Sequence, residues 1–84
     1  MALELPPGRY WATIAIGGLT DTNATIGYDE LMQTYFFQSG LEDHETGEPL
    51  HWFGRKRGEF TSFAMLKQYM EQFGMQILEW ELGE

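Results

Sequence analysis

The sequence predicts a small α+β domain, with the elements in the order β-β-β-α-β and one helix packed on one face of a mainly antiparallel sheet. Three observations carry this prediction. Residues 9–16 would place four apolar side chains on one face of a strand, and at 78–82 apolar residues alternate with glutamates, as in a half-buried strand. A β-prone aromatic run at 34–37 is followed by a polar, glycine-containing turn and a second aromatic pair at 52–53. Between 63 and 73, apolar residues recur at helical spacings of three and four.

The first strand is predicted at residues 9–16. One face would carry Tyr10, Ala12, Ile14 and Ile16, and the other would carry Trp11, Thr13 and Ala15. Gly17 and Gly18 end this strand, and the polar residues 20–25 are typical of a loop or wide turn. The pattern at 24–32 is compatible with a short helix or with the start of the next strand.

An aromatic hairpin is predicted next, with strands at about 32–43 and 48–54. Gly47 supplies the positive φ that the polar turn between them needs. Gly40 indicates a bulge or a close backbone approach. On the first strand one face would carry Tyr35, Phe37, Ser39 and Leu41, and the return strand would pair Leu50, Trp52 and Phe53 with the aromatic run.

The helix is predicted to begin after an N-cap at Thr61 or Ser62 and to end before Gly74 in the left-handed conformation. Its buried stripe would be Phe63, Leu66, Met70 and Phe73. In the last strand, Leu78, Trp80 and Leu82 would face the core and alternate with Glu79 and Glu81.

Composition limits the classes of function. The 84 residues form one domain, spanning 1–84, and 43% of them are hydrophobic. The absence of cysteine excludes disulfides, a cysteine zinc site and a thiol nucleophile, and it favours a cytoplasmic location. No apolar run reaches the roughly 18 residues of a membrane span. A formal charge of −8 repels nucleic acid and anionic membranes and favours a protein partner with a basic surface.

Acidic residues form the first candidate binding group. Carboxylates that alternate along a strand repeat about every 6.6–7 Å, close to the spacing of phosphates, and they could bind a basic partner. The alternative is that they are ordinary polar residues on a solvated face. The candidates at the hairpin tip are Glu42, Asp43, Glu45 and Glu48, and those on the last strand are Glu79 and Glu81.

Aromatic residues form the second group, because they exceed what one sheet face and one helix can cover. Trp11, Phe36 and Phe53 are predicted to point away from the helix, which indicates an interface with a partner or a second copy. Alternatively, some of them pack beneath the 17–31 segment.

A basic loop supplies the rival site. Arg55, Lys56 and Arg57 follow Trp52 and precede the helix, so this loop could bind phosphate with help from the helix N-terminus. His44 and His51 match no metal-binding spacing, and no nucleophile elbow, phosphate loop or dinucleotide fingerprint occurs. We therefore expect no metal, no cofactor and no enzymatic activity.

The prediction for function is a small acidic protein-binding module that occupies a basic, nucleic-acid-binding surface on its partner. Its size and charge are those of small inhibitors from phages and other mobile elements, such as anti-CRISPR and DNA-mimic proteins, although no residue motif carries a resemblance. The alternatives are a nucleic-acid-contacting domain that uses Arg55, Lys56, Arg57 and Trp52, and a structural homodimer.

Overall fold

Five strands form one antiparallel sheet in the computed structural model, which describes residues 8–82, the side chain of Leu82 excepted. In chain order the elements are β1 (Arg9–Ile16), β2 (Leu19–Asp29), β3 (Thr34–Gln38), β4 (Trp52–Phe53), α1 (Phe63–Gln72) and β5 (Met75–Leu82). The order across the sheet is β4-β3-β2-β1-β5, and every neighbouring pair is antiparallel. The predicted α+β class is confirmed, with one strand more than expected. No helix in this range is long and apolar enough to cross a membrane.

Strand β2 corrects the prediction of a loop at 20–25. Gly17 and Gly18 form a two-residue hairpin loop, with φ +59° at Gly17, and Ile16 pairs with Leu19 across it. The polar residues that resembled a loop lie on the solvated side of this strand, apart from Asp21. Two residues of β2 lie opposite Thr13, so β2 contains a bulge. The bulge interrupts the alternation of side chains by which the sequence would have revealed this strand.

Asp21 holds this bulge against the next part of the chain. The side chain is only 2% exposed, and its two oxygens accept hydrogen bonds from the backbone N–H groups of Asn23 (3.0 Å) and Gly40 (2.8 Å). Gly40 lies so close to β2 that a Cβ there would be 2.5 Å from the Cβ of Asn23. The close approach predicted at Gly40 is confirmed.

The aromatic hairpin exists, but its strands are shorter than predicted. Regular pairing covers only Phe37–Phe53 and Gln38–Trp52, and one isolated bridge joins Glu42 to Pro49. Gly47 has the predicted positive φ, at +73°. Pro49 cannot donate a ladder hydrogen bond, and Gly40 bends the first arm towards β2, so the arms between 39 and 51 are irregular.

Helix α1 begins as predicted, because the Ser62 hydroxyl accepts a hydrogen bond from the backbone N–H of Met65 at 3.2 Å. Phe63, Leu66 and Met70 are buried, and Gly74 has φ +75°. The predicted burial of Phe73 is wrong, since its side chain is 50% exposed. Phe73 is the C-cap, outside helical geometry, and its ring contacts Phe53, Tyr69 and His51.

Strand β5 has the predicted bounds, but its predicted inward face is wrong at Leu78. The pairing with β1 shifts between Thr13–Glu79 and Ile14–Ile77, so Leu78 is an extra residue in β5. Ile77 therefore packs against the core, and Leu78 is 52% exposed. Beyond the bulge, Trp80 returns to the core side and Glu79 and Glu81 face outward.

The core lies between the sheet and α1. On the sheet it is formed mainly by Tyr10, Ala12, Ile14, Ala24, Ile26 and Phe37. Phe60, in the segment between β4 and α1, adds a further buried ring and is held by Thr34, whose hydroxyl accepts the Phe60 N–H at 2.7 Å. The opposite side of the sheet, which we call the outer face, is not covered by the helix.

Candidate interaction face

One row of side chains crosses the whole outer face. Consecutive strands pair Trp52 with Gln38, Gln38 with Thr25, Thr25 with Trp11 and Trp11 with Glu81. Directly paired residues point to the same side of a sheet, so these five side chains lie next to one another. The four steps at about 4.8 Å each make the row roughly 19 Å long. We call it the cross-strand row.

An acidic hollow lies at the β5 end of the row. It is lined by Trp11, Thr13, Thr22, Glu79 and Glu81, together with Ala12 and Trp80. Trp11 is 52% exposed, and no other ring of the described residues stacks on it. The structure thus brings together one predicted aromatic and two predicted acidic residues, so that an exposed indole lies beside two carboxylates.

A basic hollow lies towards the β4 end of the row. Its lining residues are Arg9, Asp29, Met32, Phe36, Gln38, Trp52, Gly54 and Arg55. The guanidinium carbon of Arg55 lies 4.5 Å from the centre of the Trp52 ring, and that of Arg9 lies 5.5 Å from the centre of the Phe36 ring. Both are cation–π contacts. Within residues 8–82, no carboxylate forms an ion pair with either arginine.

Phe36 points to the outer face, as predicted, but it is only 8% exposed. Arg9 lies over its ring, across a position where Gly27 contributes no side chain. A Cβ on Gly54 would lie 2.8 Å from the Cα of Phe36, so the backbone at Gly54 packs closely against the backbone of Phe36. The chain itself therefore covers Phe36, and little of the ring is available to a partner.

Phe53 corrects a second aromatic prediction, because it lies on the helix side. Phe53 pairs with Phe37, which is a core residue, and its ring contacts Tyr69, Phe73 and Phe37. The neighbouring Trp52 takes the outer position, where it is 43% exposed. Directly paired residues point to the same side of a sheet, so the pairing of Phe37 with Phe53 places both rings on the helix side and the predicted outward orientation of Phe53 is wrong.

The basic loop and the N-cap of α1 are separated along the sequence. Ser62 already satisfies the N–H of Met65, and the three bases precede this cap by five residues or more. A carboxylate oxygen of Glu59 accepts the backbone N–H groups of Arg55 (3.1 Å) and Lys56 (3.3 Å), which stabilises the loop. Lys56 and Arg57 are exposed and lie outside the basic hollow, so only Arg55 joins Trp52 on the face.

The acids at the hairpin tip are separated from Glu79 and Glu81. They belong to the β3–β4 connection, and β5 is the opposite edge of the sheet. Asp43 stabilises the turn by accepting N–H groups from Glu45 (2.8 Å) and Thr46 (3.0 Å). Hydrogen bonds from the backbone of Thr46 and of Glu45 hold the pKa of the Asp43 carboxyl below its ordinary value. Glu42, Glu45 and Glu48 are exposed around this turn.

Sequence reasoning did not identify Arg9 or Gln38, and it named Trp52 as a candidate only together with the basic loop. A signal for the missed strand existed, since two glycines between Ile16 and Leu19 are typical of a two-residue hairpin loop. If β2 had been recognised, Gly27 would have been expected beside Arg9, where its missing side chain leaves space on the sheet. Among residues 8–82, no group of three His, Asp or Glu side chains is arranged to hold a metal ion.

Comparisons of the chain with protein-family models, with curated proteins and with solved structures found no match.

Proposed function

We propose that this chain is a protein-binding module that recognises a basic surface through the acidic hollow of its outer face. The observation that carries the proposal is the exposed Trp11 ring directly paired with Glu81, with Glu79 lining the same hollow. Trp11 is half exposed, and tryptophan is among the residue types most enriched at the positions that dominate the binding energy of interfaces.

The chemistry of the hollow favours a lysine or arginine side chain. Its apolar stem or guanidinium plane would lie on the Trp11 indole, a contact of roughly 0.5–2 kcal/mol depending on desolvation. Its charge would reach the carboxylates of Glu79 and Glu81, where charge-assisted hydrogen bonds are about twice as strong as neutral ones. The net charge of −8 adds long-range attraction to a basic partner.

This proposal includes the inhibitor hypothesis as a special case. A basic surface on a nucleic-acid-binding protein would be blocked by a module of this kind, as in the anti-CRISPR and DNA-mimic types. The acidic groups occupy opposite edges of the sheet, so we propose local recognition by the hollow rather than imitation of a continuous row of phosphates.

The test is an NMR titration of the ¹⁵N-labelled protein with a defined probe, a short peptide rich in arginine and lysine. We expect shifts at the Trp11 indole N–H and at the amides of residues 79–81, and binding that weakens with salt. Glu81→Gln should weaken binding, whereas Glu48→Gln, the same change at the hairpin tip, should leave it nearly unaltered. Equal losses in the two variants would mean that the peptide senses only overall charge, which would refute a local site.

A nucleic-acid-contacting domain remains the second candidate, favoured by the stacking of Arg55 on Trp52 beside Arg9. Aromatic rings and arginines of this kind bind single strands. A titration with an oligothymidine under the same conditions tests it, since the Trp52 indole N–H would shift and that of Trp11 would not.

A further inference from the structure

The two ends of the outer face carry opposite charge. Arg55 lies over Trp52 at the β4 end of the cross-strand row, and Glu81 ends the row on β5. Within the described part of the chain, neither Arg55 nor Glu81 forms an ion pair. Trp52 and Trp11, 43% and 52% exposed, stand near these two ends. If one copy of this surface is turned end for end and laid on another copy, the basic end of each copy faces the acidic end of the other.

We propose that a second copy of this chain covers the outer face, related to the first by a twofold axis that runs parallel to the strands near Thr25. Such an axis reverses the cross-strand row, so the β4 end of one copy lies over the β5 end of the other. Arg55 of each copy then meets Glu81 of its mate, and Trp11 packs against Gln38. Because the interface is isologous, every contact occurs twice.

The direction of the axis follows from charge. A twofold axis parallel to the row would place Arg55 on Arg55 and Glu81 on Glu81, and juxtaposed like charges disfavour that arrangement. Sheets that pack face to face lie about 10 Å apart, a gap that an arginine and a glutamate from opposite sides can span. The two exposed indoles would become covered without any change in the fold.

The expected dimer is weak. Five strands at about 4.8 Å, and about six residues of strand length, give a footprint on the order of 500 Å² per copy. The total, about 1,000 Å², is at the low end for specific interfaces and is typical of reversible association. We therefore expect a dissociation constant in the micromolar range. The inference goes beyond the proposed function, and it predicts that a second copy and a basic partner compete for Glu81.

A charge exchange tests the arrangement. By sedimentation velocity from about 1 to 500 µM, the wild-type chain should pass from monomer to dimer. Arg55→Glu and Glu81→Arg should each raise the dissociation constant by roughly tenfold or more, because each dimer loses two attractions and gains two repulsions. An equimolar mixture of the two variants should form a heterodimer, in which one chain has acidic ends and the other has basic ends.

The matched control is Lys56→Glu, the same charge change in the neighbouring loop residue outside the basic hollow. It should leave the dissociation constant within about twofold of wild type, and circular dichroism should show all variants folded. A wild-type chain that stays monomeric at the highest concentration overturns the proposal, as does a variant mixture that fails to associate. Binding of an oligothymidine by monomeric wild type, lost in Arg55→Glu, would assign the basic hollow to nucleic acid instead. None of these results depends on the peptide titration.

Discussion

Replacing Asp21 by alanine should destabilise the fold by about 2–4 kcal/mol, although Asp21 belongs to a segment whose composition is that of a loop. The substitution removes both acceptors for the N–H groups of Asn23 and Gly40. Hydrogen bonds to a charged group contribute roughly 1.5–3 kcal/mol, and a buried donor left without a partner costs about 1–3 kcal/mol. We weight the Gly40 bond more, because it joins residues distant in sequence.

A chain of this length has a total stability of about 4–12 kcal/mol, so the predicted loss is a large fraction of it. Urea unfolding followed by tryptophan fluorescence should show the midpoint lowered by about 1–2 M at unchanged slope. Asp21→Asn keeps one acceptor oxygen and should lose about half as much.

The control for this prediction is Asp29→Ala. Asp29 also accepts two backbone N–H groups, those of Leu31 (3.0 Å) and Met32 (3.2 Å), but both lie within its own turn. One of these bonds is exposed and the other only partly buried, so water can replace the carboxylate and we expect a loss of about 1 kcal/mol or less. If Asp21→Ala loses no more than Asp29→Ala, the bond between the bulge and Gly40 does not stabilise the fold as argued.

Three further predictions concern stability. Leu66→Ala in the core should lower the free energy of unfolding, measured in urea, by about 2–5 kcal/mol. Leu31→Ala, the same change at an 83% exposed position, should lower it by under about 0.5 kcal/mol. Similar losses in the two variants would mean that α1 packs on the sheet with a different face. Gly54→Ala should lower the melting temperature strongly in a thermal melt, because its Cβ would clash with the carbonyl oxygen of Tyr35. Gly47→Ala, also at positive φ but in open space, should cost only about 1 kcal/mol. The pKa of Asp43 is lowered in the folded state. The stabilisation that its carboxylate gives to the fold should therefore be complete above the ordinary pKa of 3.8 and lost as pH falls through the lower pKa of the folded state. Asp43→Asn should flatten the pH dependence of stability below about pH 4.

Local signals made the helix and two of the strands predictable. Ser62 and Gly74 bound α1 by capping chemistry that acts within a few residues, and the pattern at 9–16 corresponds to β1. Bulges were not predictable, because an extra residue is defined only against its partner strand. One such residue brought Leu78 to the surface, and another concealed β2.

The candidate face depends on pairing even more strongly. The sequence suggested that Trp11, Glu79 and Glu81 could bind a partner, but it did not show that Trp11 and Glu81 are direct neighbours. The register of the five strands decides which residues are neighbours, and this register arises from contacts between residues that are distant in sequence. The predicted orientation of Phe53 was wrong for the same reason, since it follows from the pairing of Phe37 with Phe53 rather than from the turn.

The pairing of β1 with β5 has a consequence for the order in which the chain folds. Ile16 pairs with Met75 and Tyr10 with Leu82, so β1 remains an open edge until β5 has been made and has returned across the molecule. Closing so long a loop costs entropy before the pairing compensates for it, which slows folding. On a ribosome, β1 to β3 would emerge before β5 and could pair as a meander, in which the free edge of β1 carries Trp11 and Ile14. Until β5 has paired with it, the free edge of β1 is open to a strand from another copy.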